Sequence, residues 1–121
     1  MAGLEEIPWW RWLPLPWKTW KVLLRVDEAD DVPDRLPVCG AVIIGDPSHP
    51  KWLAFDCPCR QGHRVMLNLD VRRRPAWRVD HLRPLTIAPS IDDLTTDRRC
   101  HFFIREGRIR WAKPNDERWG R

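Results

Sequence analysis

No stretch of the chain sustains the 3.6-residue spacing of apolar side chains that marks an amphipathic helix. In RVMLNL at 64–69, Val65, Leu67 and Leu69 instead fall on one face, the period-two pattern of a half-buried strand. WKVLLRV at 20–26, VCGAVII at 38–44, WLAFD at 52–56, AWRVD at 76–80 and LTIA at 85–88 also read as strands. The clearest element comes last. CHFFI and RIRWA flank Arg105-Glu106-Gly107, and Gly107 supplies the positive φ that a tight hairpin turn requires. Between strands lie an acidic, proline-punctuated loop, DEADDVPDRLP, and a turn, GDPSHP. Twelve prolines oppose long helices and leave room for one short helix near 91–97. The expected fold is mainly β: a small single domain with a twisted or partly rolled sheet and at most short helices.

The N-terminus departs from this pattern. PWWRWLPLPW at 8–17 holds three prolines and four tryptophans, which excludes a helix and favours an extended run. Such a run serves either as a strap over the core or as a docking segment that offers Trp9, Trp10 and Trp12 to a partner. The organisation read from this is a Trp/Pro-rich extension with the first strand at 1–37, followed by a β domain at 38–121.

Length and charge narrow the class. A chain of 121 residues fits one domain and can bury a core with a thin margin. No apolar run approaches the ~18 residues of a membrane span, and MAGLEEIPWW has early acidic residues and no apolar h-region, unlike a secretory signal. The expected location is the cytoplasm, with no membrane partner. The net charge of +4 comes largely from arginine, at Arg72–Arg74 and at Arg98, Arg99, Arg105, Arg108 and Arg110. It is set against an acidic patch at Asp27, Glu28, Asp30, Asp31 and Asp34. A mixed surface of this kind argues weakly for a nucleic-acid partner, so none is expected.

Four cysteines in a reducing compartment point to metal ligation or catalysis rather than disulfides. Cys57-Pro58-Cys59 follows a predicted strand. In extended chain, residues i and i+2 face the same side, so both thiols can point at one ion. Gly62 permits a tight turn, His63 returns four residues after Cys59, and Cys100 arrives from the last hairpin. Three thiolates and one imidazole suit tetrahedral zinc in a structural role. For the fourth donor His63 ranks first, with Cys39 and Gln61 as alternatives.

Cys100 and His101 are adjacent, so in a strand they face opposite sides. If Cys100 binds the metal, His101 faces away with Phe103 and is available as a general base. Ser90 sits at the corner Ala88-Pro89-Ser90-Ile91. It reads either as a helix N-cap, with Asp92 and Asp93 in the first turn, or as a nucleophile if His101 reaches it. A helix starting there would also offer backbone N–H groups to an oxyanion. Asp80, Asp92, Asp93 and Asn68 are all candidates to orient the imidazole.

Taken together, FDCPCRQGHRVMLNL at 55–69, LTIAPSI at 85–91 and CHFFIREGRIRW at 100–111 resemble a small bacterial domain family once filed under unknown function, number 6527. The resemblance covers residues 52–112. It implies a zinc-containing, deubiquitinase-like serine peptidase encoded beside ubiquitin-like proteins and E1-like and E2-like enzymes. Such a peptidase trims the ubiquitin-like precursor and removes the modifier from targets. Carried onto this chain, the resemblance makes Ser90 the nucleophile, His101 the base, and Cys57, Cys59 and Cys100 zinc ligands. Many relatives read CPCGC where this chain has Gln61 at the third cysteine position, and His63 two residues on would take its place. Two rival readings are a non-catalytic, zinc-stabilised protein-binding module and a nucleic-acid-binding zinc protein. A third is hydrolysis by water on an open zinc site.

Overall fold

In the computed structural model, which describes residues 18–59, 62–93 and 99–112, every segment read as a strand forms one. The strands are β1 (Lys21–Val26), β2 (Gly40–Asp46), β3 (His49–Asp56), β4 (Arg64–Asn68), β5 (Arg78–Leu82), β6 (Leu85–Ala88), β7 (Ile91–Asp93), β8 (Cys100–Arg105) and β9 (Arg108–Trp111). They divide among three sheets: β1-β2-β3-β4, β5-β6 and β7-β8-β9. The proposed docking segment with Trp9, Trp10 and Trp12 lies outside the described residues, as does Gln61.

β1 runs parallel to β2, whereas β2–β3 and β3–β4 are antiparallel hairpins. A parallel pair needs a crossover, and the acidic loop supplies it. Arg64, at the far edge on β4, donates to the carbonyls of Pro33 and Asp34 at 3.1 and 3.0 Å and to the Asp56 carboxylate at 2.7 Å. The Leu36 N–H also reaches Asp56, at 3.4 Å. The crossover is therefore drawn across the sheet from the β1 edge to the β4 edge. Both faces of the central strands are consequently buried, so β2 reads as a continuous apolar run rather than an alternating one. Ala41, Leu53, Phe55, Val65 and Leu67 face the main core, and Val42, Ile44 and Ala54 are buried on the other side.

The main core joins all three sheets. Trp20 packs edge-on to Phe55, and Phe55 edge-on to Phe102, with centroids 5.4 and 6.3 Å apart. Leu85, Ile87, Ile91 and Ile104 fill the same cluster. A ring of backbone bonds closes it: Trp20 N–H to Gly107 O at 2.7 Å, Gly107 N–H to Leu85 O at 2.8 Å, and Leu85 N–H to Trp20 O at 2.9 Å. Gly107 has φ +75°, and a Cβ there would meet Thr19 Cβ at 2.7 Å. Both the hairpin turn and this junction therefore require glycine. Glu106, the other turn residue, also has positive φ, at 52°, as this two-residue hairpin geometry demands.

The short helix near 91–97 does not form over Ile91–Asp93, which is strand β7 paired to β8; residues 94–98 lie outside the described residues. Ile91 is 1 % exposed and pairs with Phe102. Burial of that side chain and the ladder to β8 outweigh the acidic first turn that suggested a helix.

Candidate active site and metal centre

β3 ends at Asp56, paired with Arg64 of β4, and the loop between them carries three possible ligands. Cys57-Pro58-Cys59 enters a turn rather than continuing the strand. Gly62, at φ +84°, reverses the chain, and Cys57 N–H donates to His63 O at 3.0 Å. The fourth group comes from Cys100, the first residue of β8. Cys59 Sγ lies 3.0 Å and Cys100 Sγ 3.7 Å from His63 Nε2. The donor atoms of Cys57, Cys59, His63 and Cys100 all lie within 4.8 Å of one another. A tetrahedral ion with Zn–S near ~2.3 Å and Zn–N near ~2.0 Å sets its donors about 3.5–3.8 Å apart. This cluster could therefore hold a metal ion with little rearrangement.

Its chemistry agrees with its geometry. Cys57 and Cys100 are 4 % and 2 % exposed. Burial pushes the Cys57 thiol up to about 12, and the Cys59 and Cys100 thiols beside it add to the effect. A buried thiol in that state is a poor nucleophile, whereas three thiols and an imidazole are the donor set of closed zinc sites. None of the four cysteines forms a disulfide. Cys39 is not in the cluster; it has φ 62° just before β2 and packs against the core.

The second constellation lies on the next residue of the same strand. Along β8, Cys100, Phe102 and Ile104 point into the core, so His101, Phe103 and Arg105 share the other side. Asp92 of β7 is directly opposite His101 in the ladder. Ser90, two residues before Asp92, falls on the same side of the sheet. Its Oγ lies 3.0 Å from His101 Nε2. With the imidazole proton on Nδ1, the serine hydroxyl donates to Nε2, the arrangement a general base requires. The imidazole stacks on Phe103 at 6.1 Å and 27°. Arg110 and Arg105 also lie against that ring, at 4.6 and 5.6 Å.

Sequence reasoning missed Trp77. Its indole N–H donates to the Ser90 carbonyl at 3.2 Å, and its own N–H donates to Asn68 O at 2.8 Å. No pattern in AWRVD foretells a contact across thirteen positions. The four candidates to orient the imidazole fare differently. The Asn68 amide N–H2 donates to the carbonyls of Asp70, Arg73 and Pro75 at 3.0, 3.2 and 3.1 Å, and its Oδ1 accepts from Asp70 N–H at 3.0 Å. Asn68 thus organises a loop. Arg78 clasps Asp80 at 2.6 and 3.3 Å. Arg99 clasps Asp92 at 2.9 and 2.6 Å. The Asp93 side chain lies outside the described residues. Of Asp80, Asp92 and Asn68, none bonds to His101 among the described residues. Because β7 is a strand, Ser90 caps no helix, and the oxyanion donors expected from a helix N-terminus at Ser90 are not supplied that way.

No curated protein and no solved structure matches the chain at a significant level. Residues 28–112 match the family model described as bacterial ubiquitination-like system serine protease (BubE). The matched span contains both constellations, the cysteine–histidine cluster and the Ser90–His101 pair. It covers more than half of the chain, and the chain therefore belongs to the bacterial ubiquitination-like system serine protease (BubE) family.

Proposed function

We propose that the protein is a serine peptidase that cleaves at the C-terminus of a bacterial ubiquitin-like protein, trimming its precursor and releasing it from targets. The observation that carries this reading is the 3.0 Å contact between Ser90 Oγ and His101 Nε2, within a family of serine proteases of a ubiquitination-like system. Ser90 Oγ attacks the carbonyl at the end of the modifier's tail while His101 Nε2 takes the hydroxyl proton. The imidazolium then gives that proton to the leaving amine, and water hydrolyses the resulting ester with His101 again acting as base. Trp77 fixes the Ser90 backbone, and stacking on Phe103 fixes the imidazole plane.

In this reading the cysteine–histidine cluster holds zinc, and the zinc is structural. Four protein donors fill a tetrahedron and leave no position for a water, which disfavours the open-zinc hydrolysis. The ion would tie the β3–β4 loop to the start of β8 and so hold His101, the neighbour of Cys100, in place. Reduced thiols in that role fit a cytoplasmic location. No helix among the described residues is long and apolar enough to cross a membrane. A ubiquitin-like protein is the substrate, and E1-like and E2-like enzymes are partners of the same system.

The test is incubation with a ubiquitin-like precursor, with product masses measured. The intact chain should release the tail extension. Ser90→Ala and His101→Ala should release none while keeping the thermal transition of the parent. Full activity in Ser90→Ala, with loss on chelation, would replace this reading with metal-dependent hydrolysis.

A further inference from the structure

A groove of about 1190 Å³ comes within one residue of Ser90 along the chain, although neither Ser90 nor His101 lines it. It reaches Trp77, Ala88 and Pro89, so one end abuts the residue before Ser90. Arg105, on the His101 side of β8, lines it as well. Its surface is largely apolar. Val71 and Leu82, two of the few large hydrophobic side chains exposed among the described residues, at 74 % and 49 %, both lie in it. Apolar side chains left in water around a concave surface mark a binding site. β1, an edge strand of the four-stranded sheet, contributes Val22–Arg25, giving an extended occupant a strand to run along.

The charge of the groove is one-sided. Five arginines line it, and no aspartate or glutamate does. Arg25 is paired with Asp27 and Arg78 with Asp80. Arg74, Arg83 and Arg105 have no carboxylate partner among the described residues. Arg83 donates only to the Val22 carbonyl, at 3.0 Å. Guanidinium groups beside apolar surface favour carboxylates presented by an extended peptide.

We propose that this groove binds the segment on the acyl side of the scissile bond, and that it selects a segment mixing apolar with acidic side chains. The proposal rests on the peptidase reading in one respect. Trimming a precursor and releasing a modifier share only the acyl side, so one extended surface beside Ser90 serves both reactions by reading that side. The leaving groups differ and need no common site.

The test uses the full chain carrying Ser90→Ala and three fluorescein-labelled octapeptides. They share apolar residues and differ in two positions that carry Glu, Gln or Lys. Fluorescence anisotropy should give an affinity for the Glu peptide at least about tenfold above that for the Lys peptide, with Gln between, narrowing as salt is raised. Arg74→Glu combined with Arg105→Glu should reverse the order while leaving the thermal transition within a few degrees. Equal affinity for all three peptides would overturn the proposal. So would binding that emerges only after Trp9, Trp10 and Trp12 are changed to Ala, because the groove would then belong to the chain's own N-terminal segment. Cleavage of the precursor by the unmodified chain is measured in parallel. Charge-selective binding without cleavage keeps the groove as a peptide-binding site but removes the peptidase reading and with it the acyl-side assignment; cleavage without charge selection overturns the groove and leaves the peptidase reading standing.

Discussion

Two serine hydroxyls touch a histidine among the described residues, at nearly the same distance, and only one of them has the makings of a catalytic pair. In the β2–β3 turn, Ser48 Oγ lies 3.1 Å from His49 Nδ1. Near β8, Ser90 Oγ lies 3.0 Å from His101 Nε2. The Ser48 hydroxyl donates its proton to Asp46 Oδ1 at 2.7 Å, and the Ser48 N–H donates to the same oxygen at 2.8 Å. The Ser48 hydroxyl has therefore spent its proton, and it can only accept from the imidazole. This is a local turn motif, built from neighbours in sequence and exposed to water. Ser90 and His101 come from different segments. The histidine stands next to Cys100, a buried member of the cysteine–histidine cluster, and stacks on Phe103, and the serine backbone is held by Trp77. A Ser–His distance alone does not distinguish the two; the direction of the proton and the rigidity of the surroundings do.

The comparison breaks most sharply at the residues themselves. Ser90→Ala or His101→Ala should lower cleavage by at least about 10³-fold. Ser48→Ala and His49→Ala should leave it within about twofold, measured as kcat/KM on one substrate. If Ser48→Ala also abolished activity, the distinction would be wrong.

The next largest effect falls on the support of His101. Cys100→Ser should lose bound metal and cost about 3 kcal/mol or more of stability. Cys39→Ser, outside the cluster, should keep one metal per chain by elemental analysis. Equal metal loss in both variants would mean that the cluster is not the binding site.

A smaller effect isolates the positioning of Ser90. Trp77→Phe removes the indole donor to the Ser90 carbonyl while keeping the aromatic bulk. It should cost about 1 kcal/mol, read as a fall in kcat of several-fold with the transition temperature little changed. An unaltered kcat would show that the backbone of Ser90 is held without it.

The smallest effect concerns the other pair. The hydrogen bonds from the Ser48 hydroxyl and N–H hold the Asp46 carboxyl below its ordinary 3.8. A folded-state value below the unfolded one gives stability that is present above pH 3.8 and lost as acidification protonates the group. Melts of the parent and of Asp46→Asn should therefore differ slightly at neutral pH and converge in acid. A difference that grew in acid would contradict the turn assignment.

Much of this was legible in the residues. Val65, Leu67 and the Glu106-Gly107 turn declare strands and a hairpin because alternation and positive φ are local signals. CPC, His63 and Cys100 mark a cluster that could hold a metal ion because so few cysteines rarely fall in such a pattern by chance. The motif resemblance over 52–112 implied a serine peptidase of a bacterial ubiquitin-like system, and the match over 28–112 shows a serine protease family of such a system. Less legible were features decided by distant packing. Ile91 forms a strand because Phe102 and the core wait for it, although Asp92 and Asp93 locally favour a helix start. The three sheets are joined by the ring of bonds among Trp20, Leu85 and Gly107, and no local stretch of sequence contains all three. Trp77 reaches Ser90 for the same non-local reason.

The most direct measurement is covalent labelling of the full chain with a serine-reactive fluorophosphonate, followed by peptide mass mapping. Modification is expected at Ser90, with labelling lost in His101→Ala and Ser48 left unmodified. Labelling of Ser48, or labelling of Ser90 that is undiminished in His101→Ala, would contradict a catalytic Ser90–His101 pair.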